Sequence, residues 1–209
     1  MEKITQIALG ALASNCYILL GEDNKAVVID PASSAEVQIF LDTNDLNLGG
    51  IIITHGHYDH FSGAAELKST TAAPIYAPEL DMEMFSSEDK SWARFMAGTP
   101  FRAIAPDYAF SDGQEFAICG LKFRVMAAPG HTAGSCLLFC EELNAIFTGD
   151  VLFRGSVGRA DGFSGSERQT METMAAIRNI SGDYTLCCGH GDCTSLDVEK
   201  KFNPYLCNR

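Results

Sequence analysis

The chain has 209 residues, 46% of them hydrophobic and 20% charged, which is enough apolar material for one large core. A net charge of −12, with only 15 Lys and Arg spread along the sequence, excludes a surface that tracks nucleic-acid phosphates. No apolar stretch approaches the roughly 20 residues that span a bilayer. Met1-Glu2-Lys3-Ile4 shows no basic region followed by a long apolar run, so the reading is a cytoplasmic protein with no membrane partner.

Strands are predicted over 4–9, 15–20 and 26–29, with Gly21-Glu22-Asp23-Asn24 as a hairpin turn between the second and third. Asp30-Pro31 ends the third strand, and Ser33 or Ser34 caps a helix running to Leu41. Gly49-Gly50 gives way to the apolar run Ile51-Ile52-Ile53-Thr54, of the kind buried on both faces. A helix follows over 63–68 and a short strand over 75–77. Residues 79–107 read as a mixed, partly helical insertion carrying the single tryptophan, Trp92. Its Met82, Met84, Phe85, Phe95 and Met96 suit core packing better than a pocket wall. Further strands are predicted over 115–118, 121–127, 135–139, 145–147 and 184–187. Helices are predicted over 167–180, with Met171, Met174, Ala175 and Ile177 on one side, and over 197–202. Strand runs on either side of a central loop, each followed by helices, imply two sheets packed face to face with helices outside, in one domain. Eight cysteines without a CxxC pair exclude zinc ribbons and thioredoxin-like motifs and read as buried free thiols, with vicinal Cys187-Cys188 open to redox chemistry.

The chemistry concentrates in Thr54-His55-Gly56-His57-Tyr58-Asp59-His60. Three imidazoles and a carboxylate just beyond an apolar strand are hard to explain as packing. In an extended stretch His55 and His57 point the same way, and Gly56 removes bulk that would crowd a metal between them. The other two histidines of the chain, His131 and His190, sit in glycine-flanked turns after strands, and Asp150 ends Phe147-Thr148-Gly149. Seven such groups exceed the needs of one tetrahedral ion, so two ions sharing a carboxylate are the economical arrangement. Imidazole and carboxylate suit zinc first, with iron and manganese compatible. Paired ions of this kind make water a nucleophile near neutral pH.

These motifs resemble the metallo-β-lactamase superfamily, and within it the short, bacterial, glyoxalase II-like (hydroxyacylglutathione hydrolase-like) members. The likeness extends through Gly149-Asp150-Val151-Leu152-Phe153, Gly158-Arg159-Ala160-Asp161, Gly189-His190-Gly191 and Asn203-Pro204-Tyr205. It implies an α+β, four-layer αβ/βα sandwich. It assigns His55, His57 and His131 to a first metal, Asp59, His60 and His190 to a second, and Asp150 to the bridge, with Asp59 and Asp150 as the catalytic carboxylates. The implied activity is hydrolysis of an acyl thioester, S-lactoylglutathione or similar, by a hydroxide between the metals. The alternative in the same superfamily is a persulfide dioxygenase with one iron. Full-length glyoxalase II is similar in carrying a further basic helical segment for glutathione, whereas this chain offers only Lys200, Lys201 and Arg209 near its end. Arg154 and Arg159 are candidates for a substrate carboxylate and Tyr58 for a pocket hydrogen bond, with Asn15 a weaker candidate. The expected partner is a small molecule, and a homodimer stays open.

Overall fold

Short runs rich in Ile, Val and Leu zip into sheets because each buries its alternate side chains on one face. In a computed structural model, which describes residues 3–96 and 98–207, the first sheet begins with β1 (Ile4–Leu9), β2 (Ser14–Leu20) and β3 (Lys25–Ile29), paired antiparallel. Met1, Glu2 and Arg209 lie outside the described residues. Asp23 and Asn24 both take positive φ, 55° and 54°, which suits the tight turn read between the second and third strands. Helix α1 (Ser34–Thr43) then returns the chain to β4 (Asn47–Ile52), parallel to β3. Ser33 stands at the N-cap of α1, but its hydroxyl donates to Glu36 instead of accepting from the helix backbone. The single-turn α2 (Tyr58–Phe61) and α3 (Ala64–Thr71) lead to β5 (Ile75–Pro78), and the segment 79–107 leads to β6 (Tyr108–Phe110), both parallel additions.

The second sheet uses β7 (Glu115–Ile118), β8 (Leu121–Ala127), β9 (Cys136–Cys140) and β10 (Ala145–Gly149) as an antiparallel series. A small hairpin, β11 (Leu152–Phe153) with β12 (Ser156–Val157), and α4 (Glu167–Arg178) intervene. Then β13 (Thr185–Cys188) joins parallel to β10, β14 (Thr194–Ser195) closes that edge, and α5 (Leu196–Phe202) follows. The strand order is β1-β2-β3-β4-β5-β6 in one sheet and β14-β13-β10-β9-β8-β7 in the other.

Side-chain alternation assigns the layers. Val27 and Ile29 face inward onto Phe123, Leu138 and Phe147 of the other sheet, while Val28 points outward to Val37 and Leu41 of α1. On the far side Ile146 and Leu186 pack against Met174, Ile177 and Leu196. The result is a four-layer αβ/βα sandwich with two mixed sheets.

Four sequence readings need correction. The glycines at 49 and 50 lie inside β4, not before it, and the strand ends at Ile52. A Cβ on Gly49 would stand 2.1 Å from Cys119 Sγ, and one on Gly50 2.8 Å from Ile118, so their role is close approach of the second sheet. The buried stripe of α4 is Thr170, Thr173, Met174 and Ile177, whereas Met171 is 54% exposed and Ala175 faces solvent. The insertion divides: Met84 and Phe85 are core, but Phe95 is 68% exposed. The strand at Tyr108–Phe110 was unread because three residues carry too little periodicity to show. All eight cysteines are free thiols, and burial pushes the Cys188 thiol up to about 12, away from redox reactivity. Among the described residues no helix is long and apolar enough to cross a membrane.

Candidate metal centre

Strand termini from both sheets converge at one end of the sandwich. Asp30 follows β3, the segment Thr54–His60 follows β4, Asp150 follows β10, His190 follows β13, and His131 sits between β8 and β9. Backbone ends where a strand stops are rigid platforms, so side chains projecting there are held in fixed relation. The turn of α2 places Asp59 and His60 directly after His57.

The seven residues gather as two adjoining groups. The ligand atoms of His55, His57 and His131 lie within 4.8 Å of one another, with His57 Nδ1 and His131 Nε2 2.7 Å apart. In the second group His60 Nε2 stands 3.4 Å from Asp59 Oδ2 and 3.3 Å from His190 Nε2, and His190 Nε2 is 3.4 Å from Asp59 Oδ2. An ion with tetrahedral bonds of about 2.0–2.1 Å holds its donors about 3.3–3.4 Å apart, so the second group matches that shape closely. Asp150 reaches both: Oδ2 is 3.5 Å from His131 Nε2 and 3.5 Å from His190 Nε2, and Oδ1 is 3.4 Å from His60 Nε2. The buried His55 Nε2 and Asp150 Oδ1 have no hydrogen-bond partner in the protein. Uncompensated buried polar atoms are costly, and a cation supplies what they lack. The donor set therefore fits a pair of divalent ions.

The outer partners orient the imidazoles. His131 Nδ1 donates to the Arg159 carbonyl at 2.7 Å, which leaves Nε2 with its lone pair. His60 Nδ1 is 3.0 Å from Asp30 Oδ2, with the same effect. The Thr54 hydroxyl donates to Asp30 at 2.6 Å, so its oxygen accepts from His55 Nδ1 at 3.0 Å and frees His55 Nε2. Burial alone would lower the pKa of His60, but Asp59, Asp150 and Asp30 raise it to about 10. Burial first, then His131, lowers His57 to about 3. Asp59 is buried, which by itself raises its pKa, yet His60, His190 and the Ser14 hydroxyl 2.7 Å away hold it well below the usual carboxylate range.

Comparison with known proteins points the same way. Residues 9–190 match the family model of the metallo-beta-lactamase superfamily. The chain belongs to that superfamily. It is 34% identical to the hydroxyacylglutathione hydrolase GloC of Haemophilus influenzae, over 98% of each chain. The BLEG-1 B3 metallo-beta-lactamase superposes with a TM-score of 0.91 at 28% identity, covering 98% of this chain and all of that one. TTHA1623 in a di-iron-bound form does so with 0.86 at 28% identity, covering 97% and all of that chain. Metal binding through His and Asp groups is thus the property this metallo-β-lactamase-fold chain shares with its superfamily.

Three supports of the site were not legible as such in the sequence. Asp30 read only as the end of a strand, although it bonds Thr54 and His60. Asp81 is fully buried and accepts from the Gly56 amide at 2.8 Å, the Gly134 amide at 2.7 Å and the Thr132 hydroxyl at 2.6 Å. It staples the loop of His55 and His57 to the loop of His131, and no local sequence signal marks it. The reading of Gly56 also changes, because a Cβ there would meet Met84 Cβ at 2.6 Å. The glycine lets the 79–107 segment close down, rather than sparing room for an ion. Asn15 proves a strut: its amide donates to the carbonyls of Cys188 at 2.9 Å and Gly191 at 2.8 Å, fixing the turn of His190.

The two metal groups open into a cavity of about 710 Å³, lined by Leu12, Trp92, Arg94, Phe95, Met96, Phe153 and Arg159 above the histidines and aspartates. Trp92 is its unforeseen wall. Its ring stacks on His57, with centroids 4.8 Å apart and an interplanar angle of 19°, and the Arg159 guanidinium lies 4.5 Å from the ring centre. A φ of 62° at Trp92 costs roughly 1–2 kcal/mol and is held by this packing. Of the substrate-binding candidates only Arg159 lines the cavity, and its guanidinium donates twice to Asp161, at 2.6 and 2.7 Å. Arg154 occupies the β11–β12 turn and pairs with Asp192 at 3.0 Å. Tyr58 points away from the cavity, because α2 turns it into the core, where its hydroxyl donates to the Pro100 carbonyl at 2.6 Å and accepts from the Arg102 amide at 3.0 Å.

Proposed function

We propose that the chain is a hydrolase of acyl thioesters that works with two divalent metal ions, zinc first among them. The observation that carries this reading is the position of Asp150, whose two oxygens stand within 3.4–3.5 Å of ligand atoms from both groups. His55, His57 and His131 would hold one ion, Asp59, His60 and His190 the other, with Asp150 shared. Bound there, the ions supply Lewis acidity toward the acyl carbonyl and a water acidic enough to attack near pH 7. The protein's own part is positional and protic. Asp59 and Asp150 line the cavity floor, and Asp59, held as a carboxylate by Ser14, His60 and His190, accepts a hydrogen bond from the water and orients it as its oxygen bonds to the acyl carbon, the released proton passing to the departing sulfur. The C–S bond breaks, and the thiolate leaves and takes up a proton, giving a carboxylic acid and a thiol. Trp92, Phe95 and Phe153 wall the cavity and limit bulk water around the reacting carbonyl. The likeness to the GloC hydroxyacylglutathione hydrolase supports the thioester as substrate class.

The test couples metal analysis of protein purified without added metal to release of free thiol from acyl thioesters, S-lactoylglutathione included. Two metal ions per chain are expected, with turnover at least about 10³-fold above an Asp150→Ala variant. One iron per chain, together with oxygen uptake on glutathione persulfide, would replace the hydrolase by a dioxygenase. Thiol release no faster than in the variant on every thioester would remove the reading.

A further inference from the structure

We infer that the preferred substrate is a thioester whose acyl and thiol arms are both apolar and uncharged, lodged against Leu12, Trp92 and Phe95. This rests on the thioesterase reading and names the substrate class of that same site. Leu12, 57% exposed, belongs to the turn between β1 and β2, while Phe95, 68% exposed, belongs to the 79–107 segment, yet both line one cavity. Large apolar side chains left in water at the rim of a cavity mark a surface that a ligand covers. Phe95 also meets Trp92 edge-on, with centroids 6.4 Å apart, so rim and wall are continuous.

Charge argues in the same direction. The cavity is lined by two cationic side chains among the described residues, Arg94 and Arg159. Arg94 pairs with Asp89 at 2.8 Å, and Arg159 holds Asp161 through two donors. A ligand carboxylate would have to share each guanidinium with an aspartate already paired to it, within a chain of net charge −12. A thiol carrying two carboxylates, as glutathione does, thus meets matched arginines, whereas an alkyl arm meets indole and phenyl surface that gains from being covered.

The test uses the metal-loaded full chain. Hexanoyl-N-acetylcysteamine and S-lactoylglutathione are compared as substrates. S-hexyl-N-acetylcysteamine, a thioether that resists hydrolysis, is titrated against the fluorescence of Trp92, the chain's single tryptophan. The expected kcat/KM is at least about tenfold higher for the hexanoyl thioester, growing about fourfold for each methylene added from acetyl to hexanoyl. The thioether is expected to change Trp92 fluorescence saturably, and Phe95→Ala to raise KM for the hexanoyl thioester about tenfold. A kcat/KM as high or higher for S-lactoylglutathione, or no saturable signal from the thioether, overturns the inference. If neither thioester releases thiol, the thioesterase reading fails by itself and the titration decides alone. Saturable binding of the uncharged thioether but not of S-methylglutathione then sustains the apolar pocket, and the reverse preference ends it.

Discussion

At the scale of single residues the centre is governed by which imidazole nitrogen keeps its proton. Metal-free, His60 is raised to about 10 by Asp59, Asp150 and Asp30 in spite of its burial, and His57 is lowered to about 3 by burial and by His131. An unfolded imidazole titrates near 6.5. The His60 contribution to stability is therefore complete below about pH 6.5 and lost as pH rises toward 10, and that of His57 is complete above about pH 6.5 and lost as pH falls toward 3. The melting midpoint of the metal-free protein is expected to peak near pH 6.5 and decline on both sides, and an unchanged midpoint from pH 4 to 9 would contradict these environments. Metal must displace the His60 proton, so metal affinity measured by competition with a chelator is expected to rise over the same alkaline range. Asp81 gives a second residue-level prediction. An amide cannot accept at both of its termini, so Asp81→Asn leaves the Gly134 or the Gly56 donor unmet. Affinity at the His55, His57 and His131 group is expected to fall about 10–100-fold, with the Asp59, His60 and His190 group nearly intact, as read by metal titration. Equal weakening of both would mean that Asp81 merely supports the fold.

At the scale of elements, strands of four residues or more were readable and those of two or three were not. The strands at Ile4–Leu9, Glu115–Ile118 and Leu121–Ala127 match their predicted bounds end to end. Helix α4 was found with the wrong buried face, because Thr170 and Thr173 read as polar although Thr173 donates to the Pro129 carbonyl at 2.7 Å and both are buried. The corrected face predicts that Met174→Ala costs about 2–5 kcal/mol. Met171→Ala should stay within about 0.5 kcal/mol. Urea unfolding of the two variants checks this, and comparable losses would restore the Met171 face. Asn15 tests a link between elements. Asn15→Ala removes one of the two side-chain donors on each of two carbonyls of the His190 turn, Cys188 keeping Tyr17 and Gly191 keeping Gln6, and is expected to weaken metal at the second group about tenfold, with little change at the first.

At the scale of the whole molecule, loops from both sheets converge on the centre they surround. Binding that occurs in the folded state alone adds about 4 kcal/mol when free metal exceeds its dissociation constant a thousandfold. For a chain of this size chelation should lower the melting midpoint by about 10 °C, reversibly on adding zinc, and a midpoint indifferent to chelator would argue against an integral centre. The seven donor residues were legible because imidazoles and carboxylates stand out beside strand and turn signals, and because the chain has only five histidines to place. By itself the sequence picked out the seven residues that gather at the centre, the order of most strands and helices, and the family, since all three are written in local spacing. Tertiary structure alone decided that Asp81 joins the loop of His55 and His57 to the loop of His131, that Tyr58 and Arg154 miss the cavity, and that Trp92 walls it. Those facts depend on contacts between residues tens of positions apart, and pairwise distance across a fold leaves no periodic trace along the chain.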